Sequence, residues 1–407
     1  MEKRKRKSKR VIKKNKTNYF EITATISLVV CFVVIMIYAF QQPDYYDLKD
    51  IREDGRIETI QSFSTYEQGQ EAYEKALNQP QYHNPVLYHN NSIQLIKYGV
   101  VNFKTKSCDV NTLYKTKENK QGYINGCYGT NALFIDGNKD TIKFKMSGVI
   151  GNVKREDVEI LSYTDIQSID YYEIVNNEIF HKLSSDTKNK NYSNSIYVGN
   201  RLDSMKQSYY YSYDGHYFYP NFYEMADDER NRVHEHAINS QPYYFHYQFV
   251  SHKTISNYTA NELNTYISKI TKQNSKLYHS GYYFKKYEAM YYVNASMMLS
   301  VACNESNYGL SNIALEKNNL FGHSVYDSNT SLGNAYESID ACIKSHARDF
   351  LANDYLNPNS SHYANNYFGD KESGINVNYA SDPYWGEKCA NFYARLDQSL
   401  GLKDRFL

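Results

Sequence analysis

The chain has few cysteines and no C-x-x-C pair: Cys31, Cys108, Cys127, Cys303, Cys342 and Cys389 are scattered along 407 residues. That spacing excludes a zinc site built from thiolates. The His234-Glu235-His236 triplet lacks the four-residue histidine spacing of a zinc helix and reads as a solvated charged stretch, so neither a metal nor another cofactor is expected. Charge of one sign is also missing overall, at net +1. Ten of the 46 Lys and Arg lie between Lys3 and Lys16, leaving 36 against 44 acids, a net of −8 for residues 17–407. A body of that sign is poorly suited to neutralising phosphates, and no nucleic-acid partner is expected. What is abundant is tyrosine, 44 residues, within 15% aromatics and 41% hydrophobics, which excludes an aromatic-poor disordered chain. At 47.6 kDa, two or three folded units are expected.

Residues 1–20 form a basic segment expected to be cytoplasmic, and residues 21–40 read as a transmembrane helix. Ile22 to Phe40 is a run of nineteen residues without a charge. As a helix it measures about 28 Å, close to a hydrocarbon core of about 30 Å. Basic residues stay inside, which puts the C-terminal part outside the cell. A cleaved signal peptide is the competing reading, but Tyr38-Ala39-Phe40 offers no small-x-small cut site. In that compartment Cys108 with Cys127, and Cys342 with Cys389, are the expected disulfides.

Residues 41–95 read as a stalk or spacer, with Pro43, Pro80 and Pro85 as breakers and one helical pattern from Thr65. Residues 96–160 change to short β-rich runs with Asn125-Gly126 and Asp136-Gly137 as hairpin signals. Through YINGCYGTNALFI and FKMSGVIGNV this stretch resembles SH3-like modules of bacterial wall-associated proteins. Residues 161–257 form a tyrosine-rich linking segment holding SYYYSYDGHYFYP (Ser208 to Pro220) and QPYYFHYQFVSHKT (Gln241 to Thr254). Such aromatics stack on sugar rings or build half-buried strands, and both readings stay open. Asp214-Gly215 reads as a turn presenting His216. Residues 258–407 are helical from the outset: Thr259 with Glu262 is a capping-box signature, followed by Leu263, Tyr266, Ile267 and Ile270.

In this last region VNASMMLSVACNES (Val293 to Ser306) is an apolar helix ending at Glu305, followed by the breaker Asn307-Tyr308-Gly309. Burial there raises a carboxyl pKa and suits a general acid, although position alone also fits an ordinary surface Glu. Cys303 reads as buried, with no paired base to make it a nucleophile.

The run Glu305-Ser306-Asn307-Tyr308-Gly309, then Ser311, Ile313-Ala314, Asn318-Asn319-Leu320-Phe321-Gly322 and Tyr326-Asp327, resembles the catalytic core of bacterial glucosaminidases of glycoside hydrolase family 73. Phe284, Val293-Asn294 and the block Asn378 to Lys388 extend the likeness over roughly residues 275–400. The resemblance implies a lysozyme-like α-domain with a glycan groove, in which Glu305 protonates the departing oxygen of a β-1,4 bond after N-acetylglucosamine in peptidoglycan. Asp327 is the preferred second carboxylate and Glu337 the weaker one; the stereochemical outcome stays open. Tyr379 matches a groove aromatic that positions the sugar or water. Asn319, Phe321, His323, Tyr326, Tyr384 and Trp385 are the substrate-side candidates, with His323 adding a titratable group near the groove. Asp382-Pro383 reads as helix-capping chemistry.

The expected fold is multidomain: an N-terminal transmembrane helix, a small all-β SH3-like module, a mixed tyrosine-rich segment and a C-terminal mainly α lysozyme-like domain. The expected partners are peptidoglycan strands and the membrane. Two other readings remain: a glycan-binding scaffold that does not cut, and muramidase or lytic transglycosylase chemistry on the same fold.

Overall fold

The computed structural model describes residues 45–193, 195–323 and 333–407. Strands β1 (Tyr46–Ile51) and β2 (Ile57–Phe63) open the first sheet, and helix α1 (Tyr66–Leu77) starts where the Thr65 side chain accepts from the Gln68 amide. Then β3 (Pro85–His89) and β4 (Ser92–Ile96) turn through Asn90 and Asn91, both at positive φ, completing the antiparallel order β2-β1-β3-β4. Helix α1 lays Tyr66, Tyr73 and Ala76 on this sheet. Gly69 permits the close approach, since a Cβ there would stand 2.8 Å from Leu87 Cδ1.

The second sheet has seven antiparallel strands: β5 (Gly99–Asn102), β6 (Thr112–Thr116), β7 (Gln121–Ile124), β8 (Asn131–Gly137), β9 (Thr141–Met146), β10 (Val149–Lys154) and β11 (Glu159–Ser162). Their spatial order is β11-β5-β8-β9-β10-β6-β7. The Cys108–Cys127 disulfide ties the loop before β6 to the loop after β7. The tyrosine-rich stretch forms β12 (Tyr171–Val175), β13 (Glu178–Lys182), β14 (Ser184–Asp186), β15 (Asn191–Tyr192), β16 (Ile196–Asn200) and β17 (Tyr209–Tyr210), with a third sheet ordered β16-β13-β12-β17. Helix α2 (Phe222–Asn231) follows.

The helical part comprises α3 (His246–Phe249), α4 (Ala260–Ile270), α5 (Gly281–Tyr291), α6 (Ala295–Glu305), α7 (Asn312–Lys317) and α8 (Ile339–Ser345), which runs on as π-helix through His346–Tyr355. It ends with α9 (Asn376–Tyr379) and α10 (Trp385–Leu400). The Thr259–Glu262 capping box opens α4. Helix α6 is buried at every position from Ala295 to Cys303, and α10 packs along it.

Three corrections to the expected fold follow. The proposed transmembrane helix, 21–40, lies outside the described residues, and among those no helix is long and apolar enough to cross a membrane. Residues expected to be a stalk carry the first sheet and α1, because Leu48, Ile51, Val86, Leu87, Leu95 and Ile96 alternate or cluster so as to bury one face. The tyrosine-rich stretch is no linker: one apolar core runs without a break from Leu48 to Leu396, so the β-rich and helical parts share an interior. Cys342 and Cys389 are buried free thiols.

Buried polar groups pin this shared interior. Lys145 on β9 donates to Asp214 Oδ2 and to Glu229 Oε1 of α2, each at 2.6 Å, in a site nearly closed to water. Burial and the Asp214 charge push Glu229 up to about 7, while Lys145 holds Asp214 low. Replacing Lys145 by Met leaves two buried carboxylates without a cation. Lys145→Met is expected to cost about 3–5 kcal/mol in denaturant unfolding.

Candidate active site

Asn294 caps α6 by accepting from the Met297 amide at 3.0 Å, and the buried, mainly apolar body of the helix carries Glu305 to its last position. The chain then turns back through Asn307, Tyr308 and Gly309, all at positive φ, stapled by Ser306 Oγ accepting from the Gly309 amide at 2.7 Å. Glu305 is thereby left half-buried at a helix end. Its Oε1 accepts from Trp385 Nε1 at 2.5 Å and from Asn304 Nδ2 at 3.1 Å.

Burial is the largest influence on this carboxyl and raises its pKa above the ordinary Glu value. The Trp385 and Asn304 hydrogen bonds pull the other way, the Asp382 charge raises it and Lys388 lowers it. Asp382 is itself held by Lys388 Nζ and accepts from the Tyr384 amide at 2.9 Å. The net effect favours the protonated acid, poised between a donor that tempers the shift and a neighbouring carboxylate that reinforces it.

On the other side stands the turn after α7. Gly322 lies beside the carboxyl, its Cβ position 3.4 Å from Glu305 Oε2, an ordinary contact distance, and its φ of +64 is the left-handed conformation that favours glycine in this turn. Asn319 builds this turn. Its Oδ1 accepts from the Phe321 and His323 amides at 3.2 and 3.1 Å, and its Nδ2 donates to the carbonyls of His323 and Asn334 at 3.0 and 3.1 Å. Phe321 stacks on His346 at 3.6 Å behind the turn. His323 is buried, contacting the Tyr336 hydroxyl at 2.6 Å and His346 at 3.1 Å, and burial lowers its pKa to about 3. It therefore stays neutral near pH 7 and adds no titration there, contrary to the expectation from its place in the sequence.

Tyr379 stacks on Trp385 with centroids 4.4 Å apart, and its hydroxyl pKa is raised by burial and by the Glu305 charge. Glu305, Trp385, Tyr379 and the Gly322 turn thus converge. Tyr384 faces the opposite way, donating to Asp170 Oδ2 at 2.8 Å, and is buried in the shared interior. Asp327 and Tyr326 lie outside the described residues; Glu337 is exposed before α8.

Sequence reasoning missed the supports. Lys371, buried, donates to the carbonyls of Asn376 and Ala380 at 3.0 and 2.6 Å, bracketing Tyr379, and lies 5.0 Å from the Tyr123 ring. His181 Nδ1 meets Glu387 Oε2 at 2.9 Å, one turn into α10. The Tyr123 hydroxyl donates to the Asn378 carbonyl at 2.9 Å, the Asn125 amide to the Ser381 carbonyl at 2.9 Å and Ser147 Oγ to the Pro383 carbonyl at 2.7 Å. The second sheet therefore clamps the whole segment Asn378 to Pro383. Apart from the Lys371 bonds to Asn376 and Ala380, these partners are more than 200 residues apart in sequence, and no local signal points to them.

A carboxyl raised by burial at the end of a buried helix, bonded to an indole on which a tyrosine stacks, is the arrangement of a glycoside hydrolase domain. A family model described as mannosyl-glycoprotein endo-beta-N-acetylglucosaminidase matches residues 281–398, which contain each of these groups. The chain carries a domain of the glucosaminidase family. It is 31% identical over 261 residues to proteins of two Streptococcus pneumoniae strains, TIGR4 and R6, each described as "Putative endo-beta-N-acetylglucosaminidase". The match takes in 64% of this chain but only 34% and 32% of those relatives, so the chain spans about a third of their length. Among solved structures, a catalytic mutant of S. aureus Autolysin E in complex with the disaccharide NAG-NAM is 22% identical, covering 38% of this chain and 73% of that one at a TM-score of 0.31. A Major Bifunctional Autolysin is 19% identical, covering 44% and 78% at 0.29.

Two outcomes test this geometry. Trp385→Phe removes a donor that favours the charged carboxylate, so the Glu305 pKa is expected to rise further; carboxyl-carbon NMR titration reads it. Burial lowers Lys371 to about 7 from an ordinary value near 10.5. The unfolded chain therefore binds the extra proton between those values, and the Lys371 contribution to stability increases as pH rises from about 7 to 10. In Lys371→Met this part of the pH dependence of unfolding should disappear.

Proposed function

We propose that the protein is an endo-β-N-acetylglucosaminidase that hydrolyses the β-1,4 bond between N-acetylglucosamine and N-acetylmuramic acid in peptidoglycan. The observation that carries the reading is the half-buried Glu305 carboxyl, raised by burial and held by the Trp385 indole. A carboxyl whose pKa is raised by burial holds its proton more firmly than an ordinary Glu and can give it to the glycosidic oxygen as the bond breaks, and the resulting carboxylate is stabilised where it forms by Trp385 and Asn304. Tyr379, stacked beside the indole, positions the sugar or the attacking water, with Asp327 as the second carboxylate. Asn319, Phe321 and His323 act through the turn that carries Gly322, and Tyr384 through the seating of α10. The glucosaminidase family match and the name carried by the pneumococcal relatives support this class of reaction. A place outside the cytoplasm accords with such a substrate and with the Cys108–Cys127 disulfide.

The test is product analysis on purified peptidoglycan. New reducing ends should carry N-acetylglucosamine, and Glu305→Gln should lower their release by about 10²- to 10⁴-fold. Reduced N-acetylmuramic acid or an anhydro end in the mass spectrum would assign muramidase or transglycosylase chemistry instead. Equal release by the native protein and Glu305→Gln would remove the assignment of the acid.

A further inference from the structure

Strand β7 stands at the edge of the second sheet, paired with β6. The Cys108–Cys127 disulfide closes the open end of this hairpin, where Thr112 faces Ile124. Asn125 sits fully buried inside the closed loop, and its side chain bonds to both halves of the disulfide. Its Nδ2 donates to the Cys108 carbonyl at 2.8 Å, and its Oδ1 accepts from the Cys127 amide at 3.0 Å. Its carbonyl accepts from the Tyr128 and Gly129 amides at 3.0 and 3.1 Å, which curls the loop back on itself. The side chain therefore shapes the loop, and the backbone amide points outward to the Ser381 carbonyl.

Strand and loop follow the segment Asn378 to Lys388 contact by contact. The Tyr123 hydroxyl meets the Asn378 carbonyl, the Asn125 amide meets Ser381, and the Gly129 backbone lies against Pro383, where a Cβ would stand 2.4 Å from the proline Cγ. The Tyr128 ring lies 5.7 Å from Lys388 Nζ. This segment carries the groups that act on Glu305: the Trp385 indole and the Asp382–Lys388 ion pair. The backbone link from the loop is short, since the Trp385 amide donates at 3.3 Å to the carbonyl of Asp382, one residue past Ser381.

We propose that the disulfide-closed loop, with Asn125 at its centre, is a positioning element of the active site that holds the Trp385 indole on Glu305 from outside the family domain at residues 281–398. The inference rests on the reading of Glu305 as the acid of a glycoside hydrolase. An acid that gives up its proton and then bears the charge needs its donor in place, and a misplacement of about 1 Å can cost about 10²-fold in rate. A hairpin at a sheet edge has ladder bonds on one side, so its end opens readily, and a disulfide removes that freedom. When the loop opens, Ser147 still holds the Pro383 carbonyl and Asp170 still holds Tyr384. The expected loss is therefore one of position and not of fold.

The test uses the full chain and opens the loop in two ways. One is Cys108→Ser with Cys127→Ser; the other is dithiothreitol, whose two thiols give two electrons and two protons to the disulfide and close as a cyclic disulfide. Alkylation and mass spectrometry verify that Cys108 and Cys127 of the native protein have become thiols. Both treatments are expected to lower kcat on soluble peptidoglycan fragments by about tenfold, with KM little changed and the fold unmelted at the assay temperature. Re-oxidation restores the native protein. The Glu305 pKa, read by carboxyl-carbon NMR, rises when the loop opens, because the indole is the largest influence holding it down. With the disulfide closed, Asn125→Ala and Gly129→Ala, the second a wedge against Pro383, give the same rise and the same fall in kcat. Unchanged kcat after verified opening overturns the proposal. So does a fall in kcat with the Glu305 titration unmoved or with the whole fold melting, either of which makes the loop a brace for stability alone. Failure of the enzymatic reading looks different: Glu305→Gln and the native protein then release reducing ends equally, while the response of the Glu305 titration to loop opening is still measured.

Discussion

The site depends on the hydrogen bond from the Trp385 indole to Glu305, made where the carboxyl has lost most of its water. Burial alone would lift the acid without limit on its use, because the carboxylate left after proton transfer would have no partner. A hydrogen bond to a charged group is worth about 1.5–3 kcal/mol, enough to offset part of the desolvation and to keep the acid exchangeable. That bond requires the first residue of α10 to sit beside the last residue of α6, so the relative placement of two helices decides the chemistry of one proton.

The placement is enforced from outside the helical region. Tyr384, adjacent to the indole, is tied to Asp170; Glu387, two residues beyond it, is tied to His181; and the preceding Asn378 to Pro383 hangs from the second sheet by backbone and side-chain bonds. Asp170 also accepts from Asn131 Nδ2 at 2.9 Å and from the Ser184 amide at 2.7 Å, so the two β-sheets and α10 meet at one buried carboxylate. Such buried polar contacts are costly unless fully satisfied, and satisfied they allow little freedom of position. The β-rich part therefore acts on the site as a frame, which explains why its core and that of the helices are continuous.

Much of the site was legible in the residues themselves. Glu305, the Asn319 turn with its glycine, and the Tyr379 and Trp385 block were picked out through their likeness to the glycoside hydrolase family 73 core; helix periodicity and turn chemistry placed them on their elements but left Glu305 equally readable as a surface residue. His323 shows the limit of that kind of reading. Its position next to Gly322 suggested a titrating group in the groove, but packing against Phe350 at 3.7 Å and His346 keeps it neutral and hidden. Residues 41–95 show another limit, since alternation broken by prolines read as a spacer when strands β1 to β4 pair with one another and α1 covers them. Cys342 and Cys389 were paired as a possible link between two helices in an oxidising compartment, yet each is a buried free thiol.

By itself the sequence determined the helical character of residues 258–407, the place of Glu305 at the end of α6, and the Thr259–Glu262 capping box, and it offered Cys108 with Cys127 as one of two possible disulfides. These follow from interactions within a few residues, or from a short loop closing on itself. Only the tertiary structure decided which carboxyl is buried, which donors reach it, and that Lys371 and His181 support the site. Solvation and long-range pairing depend on segments far apart in sequence arriving together, 80 residues for Glu305 and Trp385 and 206 for His181 and Glu387, and no local pattern encodes that arrival.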